Sequence, residues 1–176
     1  NLFKQTDLLL RENSTEKKLR SKVLSDYNII HFATHGITSK SIGSQKLPGL
    51  ILNPVENGKW FNDGFLSSNE IMEFDLSAKL VILSACNTGI SQSQNHFAGF
   101  SDLTQSFLIA GAQNVLATQW SIPSVETQKL VEQILIKFKE DPQNLAFSFR
   151  KGLREFIKQN KFDIHPFYWA SFLPIG

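Results

Sequence analysis

The chain has 176 residues, of which 41% are hydrophobic, 11% aromatic and 19% charged. Eighteen basic against sixteen acidic side chains leave a net +2, too balanced to mark a nucleic-acid-binding or membrane-surface protein by charge. No apolar run approaches the ~20 residues of a membrane helix, no signal peptide is evident, and the single cysteine, Cys86, excludes an intramolecular disulfide and a cysteine-cluster zinc site. The length suits one domain, since domains commonly run ~100–200 residues. Cysteine usage predicts reducing, cytoplasmic surroundings. Asn1 rather than Met opens the chain, so a processed product or the carboxyl-terminal part of a longer protein is expected.

Asp7-Leu-Leu-Leu10 reads as a short strand. Leu19, Val23 and Leu24 then fall on one helix face after Ser14 or Thr15, either of which can cap it. Asn28-Ile-Ile-His-Phe-Ala-Thr34 is an apolar strand that stops at His35-Gly36. Residues 37–69 are punctuated by Ser, Gly, Asn and Pro, with Gly49–Asn53 and Gly58–Phe61 predicted as a hairpin pair. Asn69–Phe74 makes one helical turn. Lys79-Leu-Val-Ile-Leu-Ser84 is an unbroken strand ending at Ala85-Cys86. Residues 90–97 are polar, with His96 exposed. Phe100, Leu103, Phe107, Leu108 and Ala110 have helical spacing, and Asn114–Trp120 is a third apolar strand. Pro123 suits the first turn of a helix reaching Lys139, and a second helix spans Asn144–Gln159. The aromatic tail from His165 to Pro174 packs back on the core. Continuous apolar strands alternating with helices predict an α/β fold, with a mostly parallel sheet covered on both faces and right-handed crossovers.

In such a sheet, functional groups gather at the carboxyl ends of the strands. His35 and Cys86 both stand there. If their strands are neighbours, ~4.8 Å apart, thiol and imidazole share a pocket. That is the minimum apparatus for covalent acyl transfer: a thiolate attacks, and His moves the proton. The small residues beside them let backbone N–H groups approach an oxyanion, with Gly36 and Cys86 as candidates. The alternative is that Cys86 is a buried small hydrophobe and His35 a structural residue.

His31-Phe-Ala-Thr-His35-Gly36 and Leu80-Val-Ile-Leu-Ser-Ala-Cys86-Asn-Thr-Gly89 resemble the two catalytic segments of the CHAT domain, a caspase-like cysteine peptidase family. The likeness continues through Leu66-Ser-Ser-Asn-Glu70-Ile71, Ala98-Gly-Phe, Phe107-Leu-Ile-Ala-Gly-Ala112, Gln119-Trp-Ser-Ile122 and His165-Pro-Phe-Tyr-Trp-Ala-Ser-Phe172. It implies a caspase-like α/β/α sandwich and a cysteine endopeptidase. His35 is then the general acid/base, Cys86 the nucleophile, and the Gly36 and Cys86 backbones the oxyanion hole, while His31 is a strand residue. Substrate would add as an extended strand beside Gln119, Trp120, Ser121 and Ile122. The implied partners are a protein or peptide substrate and a TPR-like or other sensor segment upstream or a regulatory partner. No nucleic acid and no membrane is expected.

Two departures stand out. The family's acid before the Phe-Leu helix is replaced by Ala98, and an Asp after the Trp motif by Ser124, although Thr127 of that motif is kept. They favour the rival expectation, a catalytically inactive CHAT-like scaffold or interaction module. A non-proteolytic thiol acyltransferase or amidase is a further rival. No cofactor and no metal is expected, since four scattered histidines give no ligand spacing. Lys17, Lys18, Arg20 and Lys22, and then Arg150, Lys151, Arg154, Lys158 and Lys161, read as solvated helix faces.

Overall fold

The computed structural model describes residues 2–37, 47–55, 62–84, 102–160 and 165–176. The first regular elements are α1 (Glu16–Arg20) and β1 (Ile29–Phe32). The hydroxyl of Thr15 accepts the Lys18 N–H and so caps α1. Three short strands and a helix follow: β2 (His35–Ile37), β3 (Gly49–Ile51), β4 (Phe65–Ser67) and α2 (Ser68–Met72). Ser67 closes β4 and opens α2 through a reciprocal capping box with Glu70. Then come β5 (Leu80–Leu83), α3 (Asp102–Ile109), β6 (Val115–Thr118), α4 (Ser124–Glu140), α5 (Leu145–Gln159) and β7 (Phe172–Ile175).

The main sheet has the order β1-β5-β6-β7; β1, β5 and β6 run parallel and β7 antiparallel. A second sheet, β2-β3-β4, is antiparallel. All four side chains of β5 are completely buried. Because successive strand residues point to opposite faces, they feed two cores. Val81 and Leu83 join Phe32, Phe107 of α3, Ile71 of α2 and the Leu50–Leu66 pair of the small sheet. Leu80 and Ile82 join Leu130, Ile134 and Phe138 of α4 and Phe156 of α5. Gly152 lets these two helices cross closely: a Cβ there would lie 2.6 Å from the Ile134 Cα. The result is a mixed α/β fold with a mostly parallel central sheet flanked by helices, compatible with a caspase-like sandwich.

Several expectations change in detail. Residues 7–10 are not a strand: Leu10 is extended, but Leu8 and Leu10 are 70% and 61% exposed and no strand among the described residues pairs with them. Asp7 instead bonds Lys22 (2.6 Å) and the Tyr27 hydroxyl (2.6 Å). The hairpin partner of Gly49–Ile51 is Phe65–Ser67; the predicted arm at 58–61 lies outside the described residues. The tail packs back as expected, and does so by adding β7 to the main sheet. In the first basic cluster, Arg20 is not simply solvated, since it pairs with Glu70 at 3.3 Å.

Glu16 is the most unusual core residue. It is fully buried, and one carboxyl oxygen accepts the Gly64 N–H at 2.9 Å, tying α1 to the entrance of β4. The other oxygen has no hydrogen-bond partner among the described residues. Desolvation pushes its pKa from 4.5 up to about 7; the Gly64 bond opposes the rise, while Glu70 and Asp63 add to it. A carboxyl with a raised folded-state pKa is protonated more readily in the fold than in the unfolded chain. The stability it supports is therefore complete below pH 4.5 and lost as pH rises through about 7. Glu16→Gln should match the parent in chemical denaturation at pH 5. At pH 8 it should be more stable by about 1–3 kcal/mol, the usual cost of a buried polar group without a partner. Equal stability at both pH values would show that Glu16 carries no buried charge.

Candidate active site

The parallel register of β1 and β5 pairs His31 with Ile82 and Phe32 with Leu83. The two strands therefore end side by side, and the chain leaves both at the same sheet edge. From β1 it continues through Ala33 and Thr34 to His35, the first residue of β2. His35 is exposed and sits opposite Ile51, and Gly36, half-buried, sits opposite Leu50. Thr34 anchors this step by donating its hydroxyl to the Ile51 carbonyl. From β5 the chain passes through Ser84 toward Cys86. Cys86, Asn87, Thr88, His96 and Ala98 lie outside the described residues, and with them the Cys86 backbone N–H.

A set of bonds unforeseen in the sequence ties the carboxyl ends of the three parallel strands. The Ser84 N–H donates to the Phe32 carbonyl at 3.0 Å. The Ser84 hydroxyl lies 2.8 Å from His31 Nε2, linking β1 to the exit of β5 by side chains. The buried Thr118 hydroxyl donates to the Leu83 carbonyl at 3.2 Å, linking β6 to the same place. Only the strand register reveals these pairings; His31 read as an ordinary strand residue.

The four expected substrate-side residues follow β6. Gln119, Trp120 and Ile122 are half-buried and Ser121 is exposed. Two of them are already engaged by the tail. The Gln119 N–H donates to the Ser171 carbonyl at 2.7 Å, and the Trp120 indole N–H donates to the Phe167 carbonyl at 2.9 Å. Ile122 packs against the α4–α5 core. Ser124, where the family has an acid, is exposed at the first position of α4. Thr127 bonds back to the Pro123 carbonyl through both its N–H and its hydroxyl, each at 3.0 Å. His165 is the turn residue it was expected to be: its Nδ1 accepts the Phe167 N–H at 3.1 Å. No cluster of His, Cys, Asp or Glu able to hold a metal occurs among the described residues. No described helix is long and apolar enough to cross a membrane.

The family model for the CHAT domain matches residues 1–176. The chain belongs to the CHAT-domain family. CHAT is a domain related to caspase-like cysteine peptidases of clan CD. The curated relatives are tetratricopeptide repeat proteins. Tetratricopeptide repeat protein 28 of Homo sapiens is 26% identical over 195 aligned positions, covering 93% of this chain and 8% of that protein. Its Mus musculus counterpart is 31% identical over 114 positions, covering 63% of this chain and 4% of that protein. The chain thus spans less than a tenth of the length of these relatives.

The two histidines of the first CHAT motif stand in different surroundings. The His31 ring keeps a side open to water, yet enough protein surrounds it that desolvation pushes its pKa from 6.5 down to about 4. It is neutral at pH 7. A histidine with a depressed pKa resists protonation in the fold, so the stability it supports is complete above pH 6.5 and lost as pH falls through about 4. Side-chain NMR titration should show the His31 imidazole protonating near pH 4. A midpoint at or above 6.5 would mean that the ring is freely solvated and the Ser84 contact open.

Proposed function

We propose that this CHAT domain is a cysteine endopeptidase in which Cys86 is the nucleophile and His35 the general acid/base. The observation that supports the reading is the parallel β1–β5 pairing, which ends the two strands preceding His35 and Cys86 in the sequence side by side, in a chain whose whole length matches the family. His31 is ill-suited to the role: a ring that titrates near pH 4 is too weak a base to take the thiol proton. His35 stands exposed at the start of β2.

In this mechanism His35 takes the thiol proton and the Cys86 thiolate attacks the scissile carbonyl. The Gly36 and Cys86 N–H groups stabilise the oxyanion. The C–N bond breaks as His35 returns the proton to the leaving amine, giving an acyl-enzyme and a free amino terminus. His35 then deprotonates a water that cleaves the thioester and regenerates the thiol. Positioned acid–base help of this kind is typically worth ~10²–10⁴ in rate. No cofactor enters any step. The substrate is an extended peptide running past residues 119–122. Because the Gln119 N–H is committed to Ser171, main-chain pairing falls to Trp120 and Ser121, with the Gln119 side chain as a lining group. Reducing surroundings keep a thiol nucleophile in its active form, in keeping with a cytoplasmic location, and regulation comes from a sensor segment or partner.

One second reading has specific support. The relatives are tetratricopeptide repeat proteins, and Ala98 and Ser124 replace acids that the family usually carries. Both favour a CHAT scaffold that docks protein without turnover. A mass-spectrometric peptide-library digest decides between them. The peptidase reading expects cleavage by the parent that Cys86→Ala and His35→Ala each reduce by at least 10²-fold. Cleavage absent from all three proteins would leave the scaffold, and cleavage retained in both variants would overturn the Cys86–His35 assignment.

A further inference from the structure

We infer that the His31–Ser84 side-chain bond is a strut that positions the catalytic pair, so that His31 and Ser84 are positioning residues for the Cys86–His35 chemistry. This rests on the peptidase reading and adds two residues to it. The bond, at 2.8 Å, joins β1 to the first residue after β5. Ser84 lies two residues before Cys86, and His31 four before His35. It is thus a side-chain crosslink spanning the two chain exits from which the reacting groups are carried. The backbone bond from the Ser84 N–H to the Phe32 carbonyl holds the same rung. Together they fix Ser84 by both its backbone and its side chain.

Strand alternation explains why this site is free to be polar. Leu80 and Ile82 point toward the α4–α5 core, and Ser84 continues that face beyond the last strand residue. His31 points the same way on β1, which is an edge strand of the four-stranded sheet. Ile29, two residues earlier, packs on the α4–α5 core, whereas His31 is exposed. An apolar residue here would gain little burial. A neutral imidazole and a hydroxyl, one donating and the other accepting, satisfy each other at the rim. An ionised ring could only donate, whereas the neutral one retains either role, and His31 is neutral at the pH of peptide hydrolysis.

The test uses the single thiol as its own reporter. The rate of alkylation by iodoacetamide is measured against pH for the parent, Ser84→Ala, Ser84→Thr, His31→Gln, His31→Ala and His35→Ala, with far-UV circular dichroism and denaturation as folding controls. A thiol held against its histidine titrates below the free value of ~8.5. Ser84→Ala and His31→Ala should move the midpoint up by about one unit, a roughly tenfold slower alkylation at pH 6.5. Ser84→Thr and His31→Gln keep a hydrogen-bonding partner and should restore the parent profile. Turnover on a cleaved peptide should fall in kcat, with KM little changed. Ser84→Ala removes only one oxygen and keeps the test valid where His31→Ala does not fold. A lower stability with an unchanged Cys86 profile would overturn the strut and leave the bond purely structural. A parent profile indifferent to His35→Ala would instead overturn the peptidase reading, and the strut with it. Sensitivity to His35→Ala without sensitivity to Ser84→Ala removes the strut alone.

Discussion

The burial of β5 on both faces is the constraint from which the rest of the arrangement follows. Four consecutive residues, Leu80 to Leu83, have no exposed surface. Each such side chain contributes about 1.5–3 kcal/mol when removed from water, and only a layer on either side can remove all four. One layer comes from α2, α3 and the small sheet, the other from α4 and α5. The backbone of β5 needs partners on both edges as well, and β1 and β6 supply them in parallel. Parallel neighbours cannot be joined by tight turns, so the chain must travel outside the sheet after β1 and again after β5. Those excursions hold α2, the small sheet and α3, together with the His35 and Cys86 segments. The place where chemistry can be mounted is therefore a by-product of how the central strand is buried.

What the sequence made legible was whatever depends on local pattern. β5 and β6 are unbroken apolar runs with polar residues at both ends, and α4 and α5 have one apolar face each, so their identity survives any tertiary context. β7 was harder to see because Phe172-Leu-Pro-Ile175 has no alternation and carries a proline. It works as a strand since, among the described residues, it lies at the edge, with Pro174 opposite Leu116 and no further strand outside it to demand the missing N–H. The hairpin partner of β3 was hidden for a different reason: Ser67 is both the last residue of β4 and the cap of α2, so strand and helix signals overlap there. Residues 7–10 show the converse error. Three leucines in a row read as a short apolar run, but with no partner strand among the described residues Leu8 and Leu10 stand in water.

The same division runs through the site. That β1 and β5 stop just before the His35 and Ser84 positions could be read from the two apolar runs and the residues that end them; Cys86 lies outside the described residues. The side-chain bonds along the rim could not be read in this way. His31–Ser84 and Thr118–Leu83 join residues 53 and 35 positions apart, and each depends on a strand register that no local window contains. A shift of one residue between β1 and β5 would turn His31 away from Ser84 and toward the α3 core. Register is in turn fixed by the demand that Phe32, Val81 and Leu83 all enter that core, so the hydrophobic pattern sets the polar geometry indirectly.

The division of labour between the two histidines of one short motif can be argued from that geometry. They are four residues apart, yet β1 ends between them. His31 is inside the strand, bonded to Ser84 and held neutral by desolvation although its ring keeps a side open to water. His35 is past the strand, the first residue of β2 in the second sheet, and is exposed. A residue that must accept and return a proton in each turnover needs room to approach substrate and a pKa near the working pH. A residue that must hold two chain exits at a fixed separation needs the opposite, a constant protonation state and a fixed partner. In the proposed mechanism the strand end between Phe32 and His35 thus separates the residue that would hold the rim from the one that would move the proton.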